Sequence, residues 1–314
     1  MPSSKNSLQT ASYPASGVAN ESKCEQTAAA VADLALEALL LEVTATPKPG
    51  LVDRRNCGAH KDMNFYTFIN SALSLRHHFF LMALAGLRSH QEPLTALFKQ
   101  VRQLGLVAEQ EMFSATAGIN THKGALFSLG LLCAAGGHVL SLIKSHSYTL
   151  KGSDWPLTTD ELGQTVALMA HGLCQRELSP LLQATQGSLT HGQNMFLRHG
   201  STGARGQAEG GFREVRESYL PFLRSLRHQN LQPDEIYVRT LLKISANLEE
   251  TNILTRVGPQ LAQDFQKRCA WLNEHYSQKA VQELDDYCIE HNISPGGAAD
   301  LLSVTIFMDK ICRQ

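Results

Sequence analysis

The sequence predicts an all-α protein, on three observations. Apolar residues recur at helical spacing along most of the 314 residues. Alternating β patterns are missing, as are Asn-Gly or Asp-Gly turns between β-branched runs. The composition, 43% hydrophobic and 18% charged, is that of a globular chain with material for a large core.

Element by element, residues 1–22 are rich in Ser, Ala and Asn, lack the apolar region of a signal peptide, and read as a disordered tail. Residues 25–43, dominated by Ala and Leu, form the first helix. Asn64 begins a second, which carries Phe65, Phe68, Ile69, Ala72, Leu73 and Leu75. Pro93 opens a third, towards Met112. Residues 123–143 are almost wholly apolar or small and make a central helix buried on most sides. Thr159, with Leu162 and Val166, starts another, and Phe212, Pro233, Pro259 and Ser294 open or precede the rest. Two long polar connections, 46–63 and 178–211, mix Gly with charged and ring residues, as functional loops do. With no internal repeat, residues 23–314 form one compact multi-helix domain.

Charge and cysteine usage narrow the function. The formal net charge is -1, which supplies no global field for nucleic acid or an anionic membrane. No apolar stretch reaches the roughly 18 residues of a membrane span. The seven cysteines are scattered and never paired as CxxC, which points to a reducing cytoplasm rather than a disulfide framework or zinc knuckle. A polyanionic small ligand stays open, because a local cation cluster needs no net charge.

Five constellations carry candidate chemistry. In Thr46-Pro47-Lys48-Pro49-Gly50-Leu51-Val52-Asp53, continuing to His60-Lys61-Asp62-Met63, two prolines stiffen a loop whose cations and carboxylates suit phosphate and metal together. The plain alternative is a solvated loop after a Pro-terminated helix. In Asn120-Thr121-His122-Lys123-Gly124, Asn120 or Thr121 caps the buried helix. Its first-turn N–H groups, with His122 and Lys123, then suit a phosphate. Upstream, Glu109 and Glu111 lie two apart and cannot share a helix face. In Thr202-Gly203-Ala204-Arg205-Gly206, glycines flank an Arg able to clamp phosphate in bidentate fashion. The pair Glu249-Glu250, near Asn252 and Arg256, is able to hold magnesium or act as a base. In Ser294-Pro295-Gly296-Gly297, Ser caps, Pro takes the first helical position, and two glycines cost about 1 kcal/mol each relative to Ala. Close approach of a ligand or of another helix accounts for them. No GxxxxGK[ST] is present, so any ATP is held without a P-loop.

Taken together, TPKPGLVDRRNCGAHKDM, EQEMFSATAGINTHKGALFSLGLLCAAGG, STGARGQAEGG, EETNILTR and ISPGGAADLL resemble, in family order, the triphosphoribosyl-dephospho-CoA synthases. The resemblance implies an all-helical enzyme that takes ATP and 3'-dephospho-CoA, with Mg2+, to adenine and 2'-(5''-triphosphoribosyl)-3'-dephospho-CoA. That product is the prosthetic-group precursor of the citrate lyase acyl carrier protein, to which a separate transferase attaches it. An oligomer is compatible with this, and neither nucleic acid nor membrane takes part. Lys123 in NTHKG is nearer the citrate lyase branch than the malonate decarboxylase paralogue. Glu249-Glu250 departs from the Gly-Asp of the family but keeps a carboxylate at Glu250.

Under the resemblance Lys48, His122, Lys123 and Arg205 hold phosphates, helped by His60, Lys61, Asn120, Thr121, Gly296 and Gly297. Asp53, Asp62, Glu109 and Glu250 are candidates for the base, and Asp53, Asp62 and Glu250 for magnesium. Two rivals are a helical N-glycosidase or ADP-ribosyl hydrolase, and a non-catalytic partner of a lyase.

Overall fold

Capping chemistry sets several helix boundaries in the computed structural model, which describes residues 15–143, 155–182 and 191–313. The helices are α1 (Ala15–Thr44), α2 (Phe65–Arg88), α3 (Leu94–Ala115), α4 (Lys123–Leu142), α5 (Thr159–Met169), α6 (Leu173–Leu178), α7 (His191–His199), α8 (Gly203–Glu209), α9 (Leu220–Arg227), α10 (Pro233–Asn247), α11 (Thr251–Glu274), α12 (Gln278–Glu290) and α13 (Gly296–Ile311). Asn64 and Thr158 close reciprocal capping boxes with Thr67 and Glu161, each satisfying two backbone donors that a helix start leaves orphaned. Among the described residues, strand pairing is limited to one bridge between Leu157 and Cys312. The fold is all-α, as the spacing predicts.

α4 forms the centre and packs against α1, α2, α3, α5, α8 and α13. It crosses α2 closely because each helix offers a glycine to the other. A methyl on Gly86 would overlap the Ala134 carbonyl, and one on Gly137 the Ala83 carbonyl. Two contacts set the direction of α13 against α4. Gly124 lies under Asp300, and Gly136 under Ile311. The two helices therefore run parallel and in step, with their N-termini at one level. α1 runs the opposite way, since Glu37 pairs with Lys310 while Glu42 acts on Asp300.

Three expectations need correction. α1 already runs at Ala15, so residues 15–22 are helix rather than tail, and Glu21 pairs with Arg88 of α2; residues 1–14 lie outside the described residues. That segment is polar, so apolar spacing gave no sign of it. The connection 178–211 contains α7 and α8; residues 183–190 lie outside the described residues. Pro259 does open a helix, as expected, since Thr251–Glu274 is two helical segments joined at a non-helical Gly258, φ 83°, and Pro259 begins the second. Finally, α4 is long and apolar enough to cross a membrane, with a mean hydropathy of 1.8, yet 83% of that window is buried by the rest of the chain. Its apolarity serves the core.

Candidate active site

Parallel helices place their positive ends side by side, an arrangement that calls for negative charge at the shared mouth. Two carboxylates supply it. Glu250, just before α11, accepts from the N–H groups of Gly297, at 3.3 Å, and Ala298 in the first turn of α13. Asp300, one turn into α13, reaches across to α4 and accepts from the Ala125 N–H. Both glycines of the Gly296-Gly297 pair are explained by this crossing. A Cβ on Gly297 would stand 3.1 Å from Glu250 Oε2, and one on Gly296 would stand 3.2 Å from Asn252 Nδ2. What approaches these glycines closely is α11.

The chemistry of the mouth follows from burial. Glu250 is 4% exposed, and desolvation lifts its carboxyl to about 7 against the pull of the two backbone donors. Desolvation pushes Asp300 well above the usual carboxylate range, and the charges of Glu250 and Glu42 push it further. Glu42, at the end of α1, is likewise raised by burial, an effect its partner Lys48 opposes. Lys48 is buried too, and donates to the Glu42 carboxylate and, at 2.8 Å, to the Glu42 carbonyl.

His122 takes the N-cap position of α4 at 3% exposure. Its Nδ1 shares a hydrogen with Ser71 Oγ at 2.7 Å, Phe68 meets its ring edge to face, and Nε2 has no partner. Burial first, and the Lys48 charge second, lower its pKa to about 3. The ring is therefore neutral, and cannot give the charge-assisted bond to phosphate expected of it. Thr121 donates to the same Ser71 hydroxyl, 2.7 Å away, and Asn120 is exposed, so neither caps α4 as expected.

The loop 46–63 is a rigid wall beside this mouth. Asp53 accepts from the N–H groups of Lys48, Arg55 and Asn56 at 2.8, 2.6 and 3.1 Å. Its oxygens organise the turn. Asp285 of α12 accepts from the Gly50 N–H, Asn56 Nδ2 and Arg55, tying the loop to the body. Gly50 has φ 70°, and a side chain there would strike the Ile293 carbonyl. His60 Nε2 meets Ser294 Oγ at 2.8 Å, which draws the Ser294 hydroxyl away from the capping role expected of it. Burial and the Arg256 charge lower the pKa of His60, while Asp62 opposes them. Lys61 and Asp62 are exposed.

The structure thus brings Lys48, His122, Glu250, Gly296 and Gly297 towards one mouth, with His60 beside it. Others stand apart. Lys123 is half exposed and pairs with Glu109. Arg205 lies on a helix rather than a glycine loop and donates to Glu177, at 2.8 Å, which also pairs with Arg102. Asp53, Asp62 and Glu250 do not assemble into a metal site. Among the described residues, no group of three or more His, Cys, Asp and Glu could hold a metal ion.

Sequence reasoning missed Glu42 and Asp300. Each left a faint sign, Glu42 as the lone acid in the apolar run 38–43 and Asp300 as an acid three residues after the paired glycines. A cavity of about 280 Å³ adjoins the mouth, lined by Glu249, Glu250, Ile253, Leu254, Pro259, Gln260, Ala262, Gln263 and Gln266.

The chain is similar to two curated proteins over most of its length. One is a probable 2-(5''-triphosphoribosyl)-3'-dephosphocoenzyme-A synthase of Citrobacter koseri, 40% identical over 290 residues, covering 90% of this chain and 91% of that protein. The other is the 2-(5''-triphosphoribosyl)-3'-dephosphocoenzyme-A synthase of Pectobacterium atrosepticum, 38% identical over 271 residues, covering 85% and 84%. No solved structure matches. Residues 28–314 match the family described as CitG, ATP:dephospho-CoA triphosphoribosyl transferase, and the chain belongs to that family.

Proposed function

We propose that this chain transfers the triphosphoribosyl group of ATP to the 2'-hydroxyl of 3'-dephospho-CoA, releasing adenine. The observation that carries the reading beyond family membership is Glu250, a buried carboxyl whose pKa is lifted to about 7, beside Asp300 at the joined N-termini of α4 and α13. Breaking an N-glycosidic bond passes through an oxocarbenium-like centre, which a carboxylate stabilises. A carboxyl titrating near neutral pH is also suited to giving a proton to the departing base. The adjoining cavity offers the amides of Gln260 and Gln263 beside the aliphatic Ile253 and Leu254, edges and faces that suit a purine. Neutral His122 offers Nε2 as a hydrogen-bond partner, and exposed Lys61, Arg256 and half-exposed Lys123 are the cations available to the triphosphate.

The described residues make no resident metal site, so Mg2+ is proposed as a companion of the triphosphate, which it enters with most of its waters. The product is the prosthetic-group precursor of the citrate lyase acyl carrier protein, formed in the cytoplasm and passed to a second transferase. Incubation with ATP, with and without dephospho-CoA, tests the reading. Adenine release is expected to depend on the acceptor, because the positioned hydroxyl outcompetes water, and mass spectrometry is expected to find the triphosphate intact in the product. Adenine formed equally fast without acceptor identifies a hydrolase, and no adenine from folded protein with Mg2+ refutes both.

A further inference from the structure

We infer that Gln266 makes the cavity beside Glu250 selective for a 6-aminopurine, accepting from the exocyclic amino group of ATP and turning away 6-oxopurines; this rests on the transferase reading above. Every residue that lines the cavity falls between Glu249 and Gln266. The cavity therefore lies in the crook of α11, whose two segments meet at Gly258 with φ 83° and ψ 174°, a backbone region open essentially to glycine. Small-molecule pockets run from roughly 300 to 1,000 Å³. At about 280 Å³ this one suits a nucleobase rather than a whole nucleotide. Ile253, Leu254 and Ala262 give apolar walls for the ring faces, and the lining includes Glu250, anchored to the Gly297 and Ala298 N–H groups.

A side-chain amide by itself does not tell adenine from a 6-oxopurine. It carries an acceptor and a donor side by side, and turning it over exchanges them. Gln266 is prevented from turning over. Its Nε2 donates to the carbonyl of Leu248, just past the end of α10, at 2.7 Å. Exchanging nitrogen and oxygen would set two acceptors face to face and leave that half-buried carbonyl without its donor. The order is thus fixed, with Oε1 as acceptor and the second N–H of Nε2 beside it as donor. Adenine presents the complement, an amino N–H next to a ring nitrogen that accepts, and Gln pairs with it in bidentate fashion. Hypoxanthine and guanine put O6 where the amino group would be, acceptor against Oε1. A site built to hydrogen-bond a substrate N–H rejects an analogue lacking it far better than an apolar pocket does. Gln260 and Gln263 also line the cavity, but among the described residues no hydrogen bond pins their amides, so both are free to turn.

Calorimetric titration of the full chain with ATP and with inosine triphosphate, without acceptor, reads recognition of the base apart from its release. ATP is expected to bind about 10- to 100-fold tighter, the worth of one well-made bidentate pair. Purine riboside triphosphate, with neither amino nor oxo group, is expected between them. Gln266→Met keeps the bulk and removes the amide. It is expected to weaken ATP binding at least about tenfold and to leave inosine triphosphate within about threefold, so that the preference collapses. If Gln266 serves only to clasp α11 to the end of α10, both nucleotides weaken together, and that result overturns the inference. So does active wild-type protein that binds the two alike. Should Gln266→Met fail to fold, the wild-type series decides, and purine riboside triphosphate binding no tighter than inosine triphosphate overturns the inference. Wild type that releases no adenine from ATP with dephospho-CoA overturns the transferase reading itself.

Discussion

The carboxylate of Asp300 occupies the space that a Cβ on Gly124 would need, so the first turn of α4 and the first turn of α13 are locked at the same height. Ala normally stabilises a helix relative to Gly by about 1 kcal/mol. Gly124→Ala is expected to reverse that sign, losing about 1–3 kcal/mol as the overpacked methyl displaces Asp300, and to lower kcat for adenine release at least tenfold. Thermal melts and the adenine assay check both. A stabilised variant with wild-type turnover would remove the lock.

Stability should depend on pH in two opposed windows. Glu250 rises from 4.5 to about 7 on folding, so the folded state holds its proton more tightly. Its contribution is complete below about pH 4.5 and disappears as pH climbs through about 7, an order-of-magnitude loss of about 3 kcal/mol. His122 moves the other way, from 6.5 to about 3. Its contribution is complete above about pH 6.5 and is lost as pH falls towards 3, about 5 kcal/mol at most. Urea titrations at pH 5 and pH 8 are expected to show Glu250→Gln flattening the alkaline loss; an unchanged pH slope would contradict the burial argument. At pH 4, His122→Gln should be less acid-sensitive than wild type.

The buried Lys48–Glu42 pair makes a separate claim. Lys48→Met leaves the Glu42 charge uncompensated and is expected to destabilise the protein by about 3–5 kcal/mol. Adding Glu42→Leu should recover most of that loss, because two apolar groups replace two buried charges. A double-mutant cycle in denaturant measures the coupling. Additive losses would show that the pair is not energetically linked.

Lys123 pairs with Glu109 in the absence of ligand. If its ammonium moves to the triphosphate, Lys123→Ala is expected to raise KM for ATP about ten- to a hundredfold, the worth of a charge-assisted hydrogen bond. Glu109→Ala frees the same lysine and should leave that KM equal or lower. Initial-rate kinetics on both variants separate a phosphate contact from a surface ion pair, since unchanged kinetics in Lys123→Ala would leave only the latter.

Much of the fold was legible because helix formation is written locally. Apolar spacing located α2, α3 and α4, Asn64 marked its own cap, and the burial of α4 followed from having no polar face. The start of α1 was not legible, because residues 15–22 owe nothing to apolar periodicity. Within the site, Glu250 and the Gly296-Gly297 pair were visible as chemistry in need of a reason.

By itself, then, the sequence determined the all-helical class, the central helix, the family and a short roster of polar segments, since each is a property of neighbouring residues. Only the tertiary structure decided which of those groups meet. It buried Lys48 against Glu42, made His122 neutral, spent Asp53 on three backbone N–H groups, and brought Asp300 across to Ala125. Charge state and partner depend on what packs around a side chain, and for Asp300 and Glu250 the packing comes from α4 and α13. These begin more than 170 residues apart, at Lys123 and Gly296.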